Sequence, residues 1–130
     1  MAVVKQRKEE IKLSSSLLLV VWANDISKNT IGVLAANLKS IQKEITPTQL
    51  VLSTLQYYPT DGNISRAKVD EVNSIIRNFT KENWLPLIDI NTISFPNMDY
   101  QSDKTHLTSL GYLKIAKYIT EQVTWSDNIV

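Results

Sequence analysis

A continuous apolar run, Leu17 to Val21, most constrains what this chain can fold into. The run shows no alternation of apolar and polar residues, which is typical of a strand covered on both faces in a parallel sheet. Because parallel strands are joined by crossover connections, usually helices, the run predicts an α/β fold with this strand at its centre. The longest apolar stretch ends at Ala23 and is far shorter than the ~20 residues of a membrane-spanning helix.

The next segments alternate between helix and strand patterns. Apolar residues recur at intervals of three and four over residues 31–45, which predicts an amphipathic helix that ends before Pro47. Residues 50–55 then predict a short strand. Tyr57 and Tyr58 follow this strand and either line a substrate cleft or cover an edge of the core.

The second half of the chain repeats the alternation. Apolar spacing predicts a helix over residues 69–79, and residues 85–90 predict a strand. Pro86 cannot donate a ladder hydrogen bond, so this strand is expected at a sheet edge. A final helix is predicted over residues 109–123, with Thr108 as its N-cap. Its inward-facing residues are expected to be Leu113, Ala116, Ile119 and Val123. Together these elements predict one α/β domain over residues 1–130.

The composition excludes several classes of function. The chain has 130 residues, with 14 Lys and Arg against 13 Asp and Glu and a net charge of +1. It lacks the basic excess of a nucleic-acid-binding protein, so no nucleic acid partner is predicted. It has no cysteine and one histidine, so we expect neither a metal nor a cofactor. The charged amino-terminal segment does not resemble a signal peptide, so we expect a cytoplasmic protein that does not span a membrane.

Polar residues that could carry chemistry follow the first predicted strand and precede the last helix. Ligands of open parallel sheets bind beyond the carboxyl ends of the strands, where Asn24, Asp25, Asp103 and His106 are expected. An Asp three residues before a His can hold the imidazole in one tautomer, as in the base and orienter of a hydrolase. The Asn24 amide could donate to a developing oxyanion. A solvated histidine and an Asx turn are the structural alternatives.

These residues resemble two sequence blocks of the SGNH, or GDSL-type, family of esterases and acylhydrolases. Asp103, His106, Gly111 and Tyr112 match the family's last block, and Asn24 with Asp25 matches the end of its Gly-x-Asn-Asp block. The resemblance implies a three-layer α/β/α fold with a short parallel sheet, and hydrolysis of acyl esters. It also implies four roles: general base for His106, orienting group for Asp103, oxyanion donor for Asn24 and loop-structuring residue for Asp25.

The sequence departs from the family pattern at the nucleophile. The family's nucleophile lies in a Gly-Asp-Ser segment after the first strand, and no Gly-Asp-Ser occurs in this chain. The block whose glycine amide helps to bind the oxyanion is also missing, and Trp22 stands where the Gly-x-Asn-Asp block has Gly. The resemblance therefore covers the carboxyl-terminal part of the family domain, truncated on its amino-terminal side.

Three functions remain compatible with the sequence. The first is an acyl-ester hydrolase domain that keeps the base and its orienter, and is inactive unless a partner chain supplies the nucleophile. The second is a non-catalytic module that binds a partner or a small acyl-ester ligand. The third is an active hydrolase with an unrecognised nucleophile, for which the candidates are Ser27, Ser53, Ser102 and Ser109.

The apolar strand also predicts self-association. The family strand that would flank residues 17–21 is missing, so one edge of this strand is expected to be unpaired, which invites pairing with another strand. We expect a homodimer through strand 17–21, with coverage by the amino-terminal segment as the alternative.

Overall fold

The computed structural model of the chain describes residues 16–19 and 31–122. Strands and α-helices alternate in this part, and three single turns of 3-10 helix lie between them. The strands are β1 (Ser16–Leu19), β2 (Gln49–Ser53) and β3 (Leu87–Ile88). The helices are α1 (Leu34–Ile45), α2 (Arg66–Glu82) and α3 (Ser109–Gln122). The 3-10 turns are Ile31–Val33, Ile90–Thr92 and Asn97–Asp99. No helix in the described part is long and apolar enough to cross a membrane.

The sheet is parallel, and its order is β1-β2-β3. This arrangement confirms the predicted α/β class. The expectation that Leu17–Val21 is central is wrong for the described sheet, because β2 has a strand on each side and β1 pairs with β2 alone. Accordingly Leu50 and Leu52 of β2 are fully buried, whereas residues 17–19 are half-buried. The edge position of β3 agrees with the prediction from Pro86.

Helices α1 and α2 pack on β2 and on each other. The predicted periodicity of α1 is confirmed, because its buried residues are Leu34, Leu38, Ile41 and Ile45. In α2 the buried apolar residues are Val69, Val72, Ile76 and Phe79. Ser65 caps α2 by accepting a hydrogen bond from the Lys68 backbone N–H at 3.2 Å, which satisfies one of the helix's free amino-terminal donors.

The end of α2 turns the chain into β3. Trp84 has a φ of 55°, in the left-handed region, and the Leu85 N–H donates to the Thr80 carbonyl at 2.9 Å. A hydrogen bond from an N–H to the carbonyl five residues earlier, with a left-handed residue between the two, is the Schellman motif that ends helices. It directs residues 85–88 back along β2.

The buried face of α3 differs from the predicted one. Gly111 and Ile115 are buried and Ile119 is partly buried, but Leu113 is 63% exposed and Ala116 is also exposed. The reason is the close approach of Gly111 to the segment that precedes the helix, which fixes the rotation of α3 about its axis. The fourth predicted residue, Val123, lies outside the described residues. The predicted start is confirmed, since the Gly111 N–H donates to Thr108 Oγ1 at 3.4 Å.

Side chains extend the pairing of β2 and β3 beyond the short ladder. The Thr54 N–H donates to the Ile88 carbonyl at 3.1 Å, and the buried Thr54 hydroxyl donates to Asp89 Oδ1 at 2.7 Å. The same hydroxyl oxygen accepts the Asn91 backbone N–H at 2.9 Å. Arg77 of α2 binds Asp89 through both terminal nitrogens, at 2.9 and 3.0 Å. We call these four residues, Thr54, Arg77, Asp89 and Asn91, the strand-end junction.

We expect Thr54→Val to lower the free energy of unfolding by about 1–3 kcal/mol, because it leaves the Asn91 N–H without a partner and removes one of the two hydrogen bonds to Asp89 Oδ1. Thr54→Ser keeps the hydroxyl and loses one buried methyl group, which costs about 1 kcal/mol. Urea unfolding followed by circular dichroism measures both. A valine variant as stable as the unmodified protein would contradict the role of the hydroxyl.

Candidate active site

The segment that carries Asp103 and His106 is a short loop closed at its base. Tyr100 and Leu107 form an antiparallel bridge, and both side chains are buried. Inside this bridge the Gln101 N–H donates to the His106 carbonyl at 2.8 Å. The buried pair therefore anchors a loop whose tip is exposed to solvent.

Within the loop, the Asp103 carboxylate contacts both the backbone and the ring of His106. Asp103 Oδ1 accepts the backbone N–H groups of Thr105 and His106, each at 3.0 Å. Asp103 Oδ2 lies 2.5 Å from His106 Nδ1. Lys104 between them has a φ of 57°, in the left-handed region, which gives the tight turn that this contact requires. The structure thus brings together the two residues that the sequence paired.

The hydrogen bonds of Asp103 decide which ring nitrogen is available. The His106 ring, followed by the N–H groups of His106 and Thr105, lowers the pKa of Asp103 to about 2. At neutral pH this carboxylate is ionised and can only accept, so the proton of the neutral imidazole lies on Nδ1 and the lone pair on Nε2. No residue in the described part bonds to Nε2, and the His106 side chain is 59% exposed. As far as the described residues go, Nε2 is therefore free to accept a proton.

Gly111 fits α3 closely against the base of the loop. A Cβ atom at Gly111 would lie 2.9 Å from the Asp99 carbonyl oxygen and 2.9 Å from Leu107 Cβ. The Asp99 carbonyl also accepts the Thr108 N–H at 2.7 Å, and the buried Asp99 carboxylate pairs with Lys114 of α3. Only glycine allows this approach, which sets the position of the loop relative to α3.

A cavity of ≈ 490 Å³ lies at the carboxyl ends of β2 and β3, where open α/β sheets bind ligands. We call it the rim cavity; it is lined by Tyr57, Tyr58, Pro59, Thr60, Arg66, Asn91, Thr92, Ile93, Ser94, Phe95 and Asn97. Tyr57 and Tyr58 line this cavity, and Tyr58 is also buried in the core, while the prediction that they line a substrate cleft stays a prediction. No group of acidic and histidine residues in the described part could hold a metal ion.

The structure describes only some of the other predicted residues. Asn24, Asp25 and the candidate nucleophile Ser27 lie outside the described residues. Ser53 is fully buried and its hydroxyl has no partner, so it cannot meet a substrate. Ser102 and Ser109, the remaining candidates, are exposed.

Arg66 and the strand-end junction were not predicted from the sequence. Asp89 lies near the carboxyl end of the strand predicted over residues 85–90, so its position at the carboxyl edge of the sheet was a usable signal. Burial of Asp89 opposes ionisation, but the hydrogen bonds from Arg77 and Thr54 outweigh it and the pKa of Asp89 is lowered. Arg66 had no such signal, because its position at the cavity depends on how α2 packs.

The family model described as GDSL-like lipase/acylhydrolase matches residues 16–119, most of the chain. The chain belongs to the GDSL-like lipase/acylhydrolase family. No curated protein sequence matches it.

Solved structures share the GDSL-type fold. A lipase/acylhydrolase from Enterococcus faecalis superposes with a TM-score of 0.77 at 20% identity, covering 92% of this chain and 67% of that one. The Clostridium thermocellum family 3 carbohydrate esterase superposes with a TM-score of 0.66 at 19% identity, covering 91% of this chain and 63% of that one. This GDSL-family chain therefore spans about two thirds of the length of each of these neighbours.

We expect Gly111→Ala to destabilise the protein by about 1–3 kcal/mol through overpacking. Helix propensity alone would favour alanine by about 1 kcal/mol. A loss of stability therefore indicates overpacking, and a gain indicates helix propensity. Urea unfolding provides the measurement. Lys117→Ala, at an exposed position of the same helix, is the matched control and should be close to neutral. A stabilised Gly111→Ala variant would show that α3 does not approach the Asp99 carbonyl.

The Asp103 carboxyl should titrate with a pKa of about 2. In His106→Gln the ring bond is lost and the two backbone bonds remain, so the pKa of Asp103 should rise part of the way towards its ordinary value of 3.8. Because the pKa of Asp103 is lower in the folded protein than in the unfolded chain, its hydrogen bonds stabilise the folded loop fully above pH ~4. This stabilisation is lost as the pH falls towards 2. Carboxyl ¹³C NMR measures both proteins. Equal midpoints would mean that the ring does not contact Asp103.

Proposed function

We propose that this chain is the base-bearing part of a GDSL-type ester hydrolase site and does not turn over esters alone. The observation that carries the proposal is the contact of Asp103 with Nδ1 of His106, which leaves Nε2 free. The family match supports the reaction class, acyl-ester hydrolysis. The absence of a Gly-Asp-Ser segment from the sequence supports inactivity of the chain by itself.

In this proposal His106 moves a proton and a second polypeptide supplies the nucleophile. The partner's serine oxygen attacks the acyl carbon while its proton passes to His106 Nε2. The same proton then goes to the departing alcohol oxygen as the ester bond breaks. Water then loses a proton to Nε2 and attacks the acyl carbon. The serine oxygen leaves with that proton, which releases the acid and restores both groups. Asp103 keeps Nδ1 protonated and stabilises the imidazolium formed in each half of the reaction. By its resemblance to the family block, Asn24 would donate to the oxyanion.

The tautomer of His106 tests the proposed role of Asp103. Long-range ¹H–¹⁵N spectra at a pH where the ring is neutral should show protonated Nδ1 in the unmodified chain. In Asp103→Asn the facing group can donate through its amide, so the population should shift towards protonated Nε2. Ser102→Ala, next to Asp103, is the control and should leave the tautomer unchanged. A ring with Nε2 protonated in the unmodified chain would refute the proposed base.

Hydrolysis of a simple alkyl ester tests the inactivity of the chain. We expect the purified chain and His106→Ala to release acid at the same rate as buffer in a pH-stat, because no serine is activated. A fluorophosphonate probe should leave both unlabelled. Turnover that His106→Ala abolishes, together with probe labelling, would show that the chain holds its own nucleophile. Ser102→Ala and Ser109→Ala would then identify it.

A second candidate function is self-association through β1. It is favoured by one observation: within the described sheet the edge of β1 away from β2 has no strand partner, and free edges of apolar strands invite pairing. Sedimentation equilibrium at micromolar concentration should then report a dimer, with slow amide exchange in residues 17–19. A monomer with the same slow exchange would exclude pairing of two copies at this edge.

A further inference from the structure

The described lining of the rim cavity carries one positive charge and no negative charge. Among the described residues that line it, Arg66 is the one with an ionised side chain at neutral pH. The polar groups around it are hydroxyls and amides, from Thr60, Ser94, Asn91 and Asn97. The cavity is therefore electrostatically suited to an anion with polar groups attached.

Arg66 is held in place without being neutralised. Its Cζ atom lies over the Tyr57 ring, 3.7 Å from the ring centroid. The carboxylate one helical turn away, Asp70, instead accepts a hydrogen bond from the Tyr57 hydroxyl at 2.5 Å. No carboxylate in the part of the chain described forms an ion pair with Arg66. Stacking uses the face of a guanidinium and leaves the N–H groups on its edge available to a ligand.

The rim cavity lies beside the loop of the candidate base. Tyr58 and Phe95 line the cavity, and their ring centroids lie 6.0 and 6.3 Å from that of Tyr100. Tyr100 in turn pairs with Leu107, the neighbour of His106. Tyr100 therefore connects the lining of the cavity to the base of the loop that carries His106.

We propose that the rim cavity binds an oxyanion, a carboxylate or a phosphate, that the substrate carries away from its ester bond. Arg66 donates the charged contact, because its planar fork of N–H groups matches both kinds of oxyanion. The hydroxyl and amide groups of the lining contact a polar body attached to the anion. The inference rests on the proposed function for the statement that the ligand is an ester substrate, but binding itself requires no turnover.

Three probes that share one sugar ring test the charge preference. Glucose is neutral, glucuronate adds a carboxylate and glucose 6-phosphate adds a phosphate. Each is titrated into the ¹⁵N-labelled chain, and amide shifts of Thr60, Ser94 and Asn97 report the cavity. We expect at least one charged probe to bind about tenfold or more tightly than glucose, since a charge-assisted hydrogen bond adds to the shared contacts. The tighter of the two charged probes identifies the oxyanion.

Two charge-removing variants complete the test. Arg66→Gln should reduce the affinity for the charged probes to that for glucose, while Lys68→Gln, which removes the same charge two residues away, should leave the preference intact. Arg66→Lys keeps the charge but lacks the planar guanidinium, so it should retain part of the preference for charged probes. Equal binding of all three probes, or a preference that survives in Arg66→Gln, would overturn the inference. The tautomer and hydrolysis measurements do not depend on Arg66, so failure here is distinguishable from failure of the proposed function.

Discussion

The position of the candidate site depends on the strand-end junction. β3 contributes two residues to the ladder, too few to fix the direction of the long segment that follows. The Thr54 hydroxyl supplies the missing contacts by donating to Asp89 and accepting from the Asn91 backbone. Arg77 ties the same carboxylate to α2 through two hydrogen bonds. The Thr54 hydroxyl and the Arg77–Asp89 ion pair therefore connect β2, α2 and the segment after β3. The position of residues 89–108 depends on these contacts.

The loop that carries Asp103 and His106 is exposed at its tip but ordered at its base. His106 and Asp103 are largely exposed, and exposed polar contacts alone contribute little to order. The loop is positioned instead by its base, where Tyr100 and Leu107 are buried and where Gly111 admits the Asp99 carbonyl. This division leaves the His106 ring exposed to solvent while the loop is anchored at its base. Under the proposed function, that exposure lets a nucleophile from another polypeptide reach the ring.

The two arginines of α2 differ in the partners that the fold provides for their side chains. Arg77 meets a carboxylate that Thr54 also binds, so its charge is used within the fold. Arg66 lies at the start of the same helix and over Tyr57, and it lines the rim cavity, where no described carboxylate accompanies it. The Tyr57 hydroxyl contributes to this difference by binding Asp70. A neighbouring acid that could have neutralised Arg66 is thereby engaged elsewhere.

The sequence by itself determined the features that depend on near neighbours along the chain. Helical periodicity predicted the buried face of α1, and Pro86 predicted an edge strand. The spacing of Asp103 and His106 predicted a contact that a tight turn can make. Tertiary structure decided which strand is central, which face of α3 is buried, and which residues surround the rim cavity. Those outcomes depend on contacts between segments tens of residues apart, as between Thr54 and Asp89. Local spacing contains no information about such contacts, because they arise only when whole elements pack against one another.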